Sequence, residues 1–259
     1  MQKQLITVCF YIIFPFVLYG QIINQRDAAG LKQGYWEAED ISGMPVYKGY
    51  FKDDKPVGKM TRYFPTGEVR VIMDYDDKSV MARTQFFWHN GTVAAKGVYI
   101  NTKRDSVWLF YNQNGTLSSR VEYSSGKRHG VERKFYMEGN DIAEEINWKD
   151  SIKHGAWNQY FQSGQLKFTV TYIDGKLEGQ YVSWYPDGKK EVEGMYRNGT
   201  PDGEWKRYHE NGEYISTIKF DRGTITNMEE VEEDEHMFFR KATDLEEYLP
   251  ERTLEDLFR

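Results

Sequence analysis

The sequence predicts an all-β protein: an elongated, single antiparallel meander sheet of about eight β-hairpin repeats of 24 residues, followed by a short helical C-terminal tail. Two observations carry this prediction. A sequence motif that begins at Gly179, with an aromatic residue at Tyr181, is repeated 24 residues later at Gly203 and Trp205. The composition is also unusual, with 16% aromatic residues, 23 Gly and a mean hydropathy of -0.74. Many aromatics in a polar, Gly-rich chain favour short strands joined by tight turns.

Eight units share the pattern when the leading Gly is taken as position 0. They start at Gly34, Gly58, Ala82, Ser106, Gly130, Gly155, Gly179 and Gly203, 24 residues apart except for one spacing of 25. Position +5 is aromatic in the last seven units, at Tyr63, Phe87, Tyr111, Phe135, Tyr160, Trp184 and Tyr208. Position +17 is aromatic in seven units, and the unit from Gly130 has Trp148 at +18. One inserted residue near Asn140–Asp141 explains this shift. The first unit, with Asp40 beside an irregular stretch, resembles a degraded cap.

Each unit is predicted to be a β-hairpin. Dipeptides such as Asp187-Gly188 and Asn211-Gly212 favour the positive φ angles of hairpin turns. The second strand alternates strictly, with Leu166, Phe168, Val170 and Tyr172 apolar and the residues between them polar. This period of two gives the sheet one apolar and one polar face.

The first strand of each unit leaves two interpretations open. Positions +2 and +6 share a parity that +5 does not, so that Trp184 and Tyr185 point to opposite faces. Either the polar face carries an aromatic ridge, or a bulge restores a single aromatic face. The sequence does not choose between them.

The chain divides into four predicted segments. Residues 1–20 have the layout of a secretory signal peptide, with Lys3, an apolar run from Leu5 to Tyr19, and Gly20 at the cleavage point. The alternative is an uncleaved membrane anchor, for which the run is short. Residues 21–33 form a linker, 34–226 the repeat domain and 227–259 an acidic, partly helical tail. We therefore expect an exported protein, whether periplasmic, attached to the cell envelope or secreted.

The tail carries most of the acidity of the chain. Residues 227–259 contain 12 Asp/Glu against 4 Lys/Arg, whereas the whole chain has a net charge of -6. The charge run Glu229–Glu235 is predicted to be solvated and flexible. Helices are predicted from two capping boxes that begin at Thr243 and Thr253. These helices either cover the last exposed strand or dock on a partner.

No motif in the sequence predicts catalysis. Nucleophile elbows, metalloprotease motifs and phosphate or dinucleotide loops are absent from the sequence, which therefore predicts no catalytic residue and no cofactor. His129 and His154 occupy the position before the leading Gly, as Asp105, Glu178 and Asp202 do in other units. Equivalent positions in neighbouring hairpins lie about 9–10 Å apart, too far to share one metal ion. The sequence thus predicts no metal site, and the lack of a basic patch predicts no nucleic-acid partner.

The phrase Gly-x-Trp-x-x-Tyr-x-x-x-Gly, followed by x-Tyr-x-x-Gly-x-x-x-Gly, resembles the variant MORN repeat of bacterial proteins often labelled YwqK-type antitoxins. Gly155, Trp157, Tyr160, Gly164 and Tyr172 carry one copy. The resemblance covers roughly residues 34–223 and implies a β-hairpin sheet with a non-enzymatic scaffold or binding role. Departures are Ala82 and Ser106 at the leading position and Glu132 at the Trp position.

The aromatic rows form the candidate binding surface. Its residues are those at +2, +5 and +6 in the last units: Trp157, Tyr160, Tyr181, Trp184, Tyr185, Trp205 and Tyr208. If buried, these rows are a core; if exposed, they form a stripe suited to contact with protein or glycan. The first hypothesis is an exported scaffold that binds a protein, which includes another copy of itself, through the face or edge of the sheet. The alternatives are a cell-envelope carbohydrate or peptidoglycan binder and an antitoxin or immunity partner of a toxin. Membrane contact is expected only through an uncleaved signal segment.

Overall fold

The predicted fold class is confirmed. The computed structural model describes residues 22–138 and 141–243. Within them, successive strands pair antiparallel, except that the two-residue strand β10 (Lys127–Arg128) and the longer β11 (Gly130–Phe135) both pair with β9 (Leu117–Ser124). The result is one open meander sheet of 19 strands and a single short helix near the C-terminus. The signal segment lies outside the described residues, as does the chain beyond Thr243.

Eight hairpins correspond to the eight units. Their strands are β2 (Lys32–Glu39) with β3 (Pro45–Lys52), β4 (Lys55–Tyr63) with β5 (Val69–Tyr75), β6 (Met81–Phe87) with β7 (Val93–Ile100), β8 (Lys103–Tyr111) with β9 (Leu117–Ser124), β11 (Gly130–Phe135) with β12 (Ile142–Lys149), β13 (Ile152–Tyr160) with β14 (Leu166–Ile173), β15 (Lys176–Trp184) with β16 (Lys190–Arg197), and β17 (Thr200–Tyr208) with β18 (Tyr214–Asp221). Two-residue strands complete the sheet: β1 (Gln25–Arg26), β10 (Lys127–Arg128) and β19 (Thr224–Ile225). Strand β1 lies in the segment predicted as a linker.

The leading position of a unit is a left-handed bulge between two hairpins. Gly203 has a φ of 71°, and the register of β16 with β17 shifts between Glu193 and Met195. Glycine adopts this backbone conformation without the steric cost of a Cβ. Where Ala82 replaces the Gly, it pairs with Tyr75 and the register of β5 with β6 runs without a shift. The leading Gly therefore sets the offset between neighbouring hairpins.

A second irregularity decides the question left open for the first strand. In every hairpin the register shifts just before position +5, as between Gln159 and Tyr160, where Tyr160 pairs with Leu166 and Lys167 is passed over. The extra residue therefore belongs to the second strand. The first strand keeps its alternation, so the +5 side chains stay on the face opposite Trp157. The aromatic ridge is the correct interpretation.

The core lies on the apolar face, which presents positions -2, +2, +4, +13, +15 and +17 of each hairpin. The predicted alternation of the second strand is confirmed by Phe168, Val170 and Tyr172, which are all buried. Trp205 shows how units join. Its ring lies directly over Gly194 of the preceding hairpin, and its Nε1 donates a hydrogen bond to the carbonyl of Met195 at 3.2 Å. Trp108 repeats this arrangement over Gly97.

Both edges of the sheet are partly covered, by very short strands and by Asn side chains. Strand β19 pairs with only two residues of β18. Beyond it, Asn227 bonds to the edge of β18 through its side chain, accepting from the amide of Lys219 at 2.9 Å and donating to the carbonyl of Thr217 at 3.0 Å. Asn24 does the same at the other end, accepting from the amide of Glu37 at 2.9 Å. Capped edges of this kind do not template the addition of another strand.

The C-terminal tail corrects two predictions. The charge run Glu229–Glu235 is not merely solvated, because Met228–Glu230 forms a 3-10 turn and α1 (Glu233–Thr243) begins inside the run. Acidic residues stabilise the first turn of a helix, which explains the start. Thr243, predicted to cap the start of a helix, instead lies within α1 as a helical residue and donates its hydroxyl hydrogen to the Phe239 carbonyl at 2.7 Å. The helix covers the apolar face of the last hairpins with Phe239, which is fully buried.

The contact between Trp205 and Gly194 generates a stability prediction. A Cβ at residue 194 would lie 2.1 Å from the indole ring, so Gly194→Ala forces the ring or the backbone to move. We expect a loss of roughly 2–3 kcal/mol in the free energy of unfolding, measured by chemical denaturation. Gly49→Ala is the control with the smaller overlap, because its Cβ lies 3.2 Å from the nearest atoms, Cα, Cβ and Cε of Met60, against 2.1 Å at residue 194. Equal losses in the two variants would contradict this packing.

Candidate functional site

Three of the seven residues predicted as binding surface belong to the core. Trp157, Tyr181 and Trp205 are 3%, 4% and 0% exposed. Tyr181 stacks on Trp205 with ring centroids 5.3 Å apart, and burial raises the pKa of Tyr181 to about 12. These side chains occupy position +2 of the apolar face, where each packs on its neighbouring units. They hold the repeats together and present no surface to a partner.

The residues at +5 form a row on the opposite, outer face. Tyr160, Trp184 and Tyr208 are half-buried there; we call them the outer aromatic row. Tyr160 donates its hydroxyl hydrogen to Glu145 at 2.8 Å, and Tyr208 donates to Glu193 at 2.6 Å. The bond to Glu193 and partial burial raise the pKa of Tyr208 to about 12. Each tyrosine ring is thus fixed by a carboxylate of the preceding hairpin.

Tyr185 lies apart from this row, at the tip of its hairpin. Its hydroxyl donates to the carbonyl of Tyr208 at 2.8 Å, which links the tip to the next unit. Tyr136 and Trp88 make the same kind of bond 24 and 23 residues ahead. In these three units the +6 side chain therefore links the tip of one hairpin to the next hairpin. Tyr185 has a structural contact, and its pKa is raised by burial.

The polar residues one position before the leading residue accept hydrogen bonds from the turns that join one hairpin to the next. Their side chains accept hydrogen bonds from backbone amides 20 residues later: Asp105 from Ser125, His154 from Asp174, Glu178 from Asn198 and Asp202 from Arg222, at 2.8–3.4 Å. All four residues that donate these amide hydrogens have positive φ. This row therefore stabilises left-handed turn residues. Within the described part of the chain, no three His, Cys, Asp or Glu side chains come together as a set that could hold a metal ion.

A charged cluster interrupts the aromatic core at the unit from Gly130. Glu132, which stands at the Trp position, is 7% exposed and Glu144 is 4% exposed. Glu144 contacts Lys134 Nζ at 2.8 Å and accepts from Trp157 Nε1 at 2.5 Å. Glu132 lies 3.5 Å from Arg128 Nη1, and burial raises the pKa of its carboxyl group. The sequence showed Glu132 as a departure from the repeat but gave no sign of its partners.

This cluster separates two apolar cores. One contains Ala95, Trp108, Phe110 and Val121, and the other begins at Ile146. Both carboxylates face a cation, so the cluster is close to electrically neutral. Its buried, paired charges are the features of a polar core.

Four segments of the chain match the family of the MORN repeat variant: residues 56–77, 153–174, 177–198 and 201–221. Each segment covers one hairpin unit. Proteins built from such repeats are generally non-enzymatic scaffolds, and the repeat is consistent with binding of protein or membrane. No curated protein matches the chain. Among the residues that the structure describes, no helix has the length and apolar character needed to cross a membrane.

Glu132 generates a pH-dependent prediction. Because its pKa is raised in the folded protein, the ionised carboxylate destabilises the fold at a pH above that pKa. This cost shrinks as the pH falls below the folded pKa and is gone below the pKa of the unfolded chain. We expect Glu132→Gln to raise the free energy of unfolding at neutral pH by on the order of 1 kcal/mol, with a gap to wild type that narrows on acidification. Urea denaturation across pH measures this, with exposed Glu204→Gln as control. A variant less stable than wild type at every pH would overturn it.

Proposed function

We propose that this protein is a non-enzymatic repeat scaffold that binds a protein partner through the outer aromatic row. The observation that carries the proposal is the row itself. Tyr160, Trp184 and Tyr208 repeat in register on three consecutive hairpins, on the face opposite the core, and are partly exposed. Large, rigid aromatic side chains are the commonest energetic centres of protein interfaces.

The fold favours binding through the outer face over binding through the sheet edges or the apolar face. The described edges of the sheet are capped by Asn24 and Asn227, which disfavours pairing with a partner strand. The apolar face of the last hairpins is covered by α1, whose Phe239 is fully buried. The outer row over the same hairpins is left for a partner. Because the two tyrosine rings are held by Glu145 and Glu193, binding requires little further ordering of these side chains.

The proposal includes export. Lys3 and the apolar run from Leu5 to Tyr19 have the layout of a signal segment, and the partner would then lie in the cell envelope or outside the cell. Cleavage after Gly20, read by N-terminal sequencing of the protein from its native host, tests this part. An intact N-terminus on a cytoplasmic protein would instead favour an antitoxin-type partnership.

A carbohydrate ligand is the second candidate, and the same row favours it. Sugar rings stack on exposed aromatic faces, and three such faces in register match an extended glycan. Retention on peptidoglycan or envelope polysaccharide tests this candidate directly. Retention that survives the loss of Trp184 and Tyr208 would exclude it.

The proposed role of the outer aromatic row generates a mutational prediction. We expect the double variant Trp184→Ala, Tyr208→Ala to lose at least about tenfold in affinity for the partner recovered from envelope extracts, because truncating interface aromatics costs about 2 kcal/mol or more. Tyr50→Ala is the matched control, since Tyr50 is an exposed aromatic at the other end of the sheet. Unchanged capture by a normally folded double variant would refute the proposal. Light scattering identifies the case in which the partner is a second copy.

A further inference from the structure

The joint between β9 and β11 is packed differently from the joint of the last hairpin. At the last hairpin, the indole ring of Trp205 covers Gly194 of the preceding hairpin. Between β9 and β11 the residue at the same position, +2, is Glu132, and the register of the two strands places it beside Val121. A buried carboxylate therefore stands where an aromatic ring joins other hairpins.

The charge of Glu132 is buried and incompletely paired. The residue is 7% exposed. Among the described residues its Oε2 accepts no hydrogen bond, and Arg128 Nη1 lies 3.5 Å from this oxygen. Removing a carboxylate from water has a large desolvation cost, which an ion pair offsets only when its geometry is close and well aligned. The joint therefore lacks aromatic packing and also carries the cost of a buried charge.

The joint between β5 and β6 also lacks a large residue at +2, but the residue there is neutral. Thr84 is 2% exposed, and its hydroxyl donates a hydrogen bond to the carbonyl of Ala82 at 3.3 Å. A hydroxyl that has an acceptor is buried at a much lower cost than a carboxylate. We therefore expect the joint between β9 and β11 to be the weaker of the two.

Each side of the joint between β9 and β11 has its own apolar core. The cluster beyond the joint has 13 buried residues, which include Phe239 of α1. The cluster before the joint has four: Ala95, Trp108, Phe110 and Val121. Because each unit of a repeat protein is stabilised mainly by its neighbours, an array of units separates where one interface is weak. The larger core makes the part beyond the joint the more stable one.

We propose that the sheet opens at the joint between β9 and β11, so that residues 22–124 and 130–243 are two separately cooperative parts. The first part unfolds while the second part stays folded. The outer aromatic row lies wholly in the second part and is left intact by this opening. The inference does not depend on the proposed function, because its test measures the folding of the chain and includes no partner.

Hydrogen exchange of the full-length protein in increasing urea, measured by mass spectrometry, tests the order of opening. We expect the amides of β2–β9 to lose protection at a lower urea concentration than the amides of β12–β18, with the boundary between residues 124 and 130. Loss of protection at one common urea concentration would overturn the proposal. A boundary at any other turn of the sheet would overturn it as well.

NMR of the protein labelled with fluorotryptophan follows the same two parts through their side chains. The labelled residues are Trp36, Trp88 and Trp108 before the joint, and Trp148, Trp157, Trp184 and Trp205 beyond it. The signals of the first group are expected to reach their unfolded positions at a lower urea concentration than those of the second group. Signals that all change together would contradict a division at this joint.

The variant Glu132→Met tests whether the buried charge weakens the joint. An apolar side chain of similar volume removes the desolvation cost and packs on Val121, so we expect the gap between the urea midpoints of the two parts to fall by about half or more. Glu132→Gln, which removes the charge alone, should narrow the gap less. The exposed Glu204→Gln is the control that leaves the gap unchanged. A gap that stays the same or widens in a folded Glu132→Met protein would overturn the proposal.

Discussion

The fold depends on the insertion of one large side chain over the backbone of the preceding hairpin. At Trp205 the indole lies on Gly194, donates to the carbonyl of Met195 and meets Tyr196 edge-on with ring centroids 5.0 Å apart. A one-layer sheet has no second sheet to pack against, so its core must be built from side chains that cover the strands themselves. The left-handed leading residue offsets the hairpins and makes this insertion possible.

The residue at position +2 and the residue that it faces in the preceding hairpin differ in size in several units. Trp108 and Trp205 face Gly97 and Gly194, whereas Thr84, a small residue at the same position, faces the larger Met73. The two members of each pair therefore share a limited volume, as close packing requires. Repeats of this kind are stabilised mainly by their nearest neighbours. The charged cluster at Glu132 and Glu144 is the place where this pattern breaks, and it divides the aromatic core in two.

The two faces of the sheet differ in their side chains and in the contacts that these side chains make. On the apolar face, cations such as Lys153 lie against aromatic rings, and Glu235 of α1 pairs with Arg207. On the outer face, Tyr160, Trp184 and Tyr208 are held in place by carboxylates and by the backbone. This division explains why one aromatic repeat can serve both as a core and as a surface. Position +2 is buried in the core in most units, whereas position +5 lies on the outer face, through which we propose that a partner binds.

The sequence by itself determined the repeat, its eight units, the hairpins and the alternation of the second strand, because turn chemistry and a period of two are local properties of the chain. It did not determine which aromatic rows are buried. From the sequence, the buried row could not be distinguished from the outer row, because the exposure of a side chain depends on the bulges that set the register of each strand with its neighbour. The buried row is Trp157, Tyr181 and Trp205, and the outer row is Tyr160, Trp184 and Tyr208. The helix within the charge run was also missed. Its stability comes from Arg207, Ser216 and the aromatic core, contacts between residues far apart in the chain that only the tertiary structure brings together.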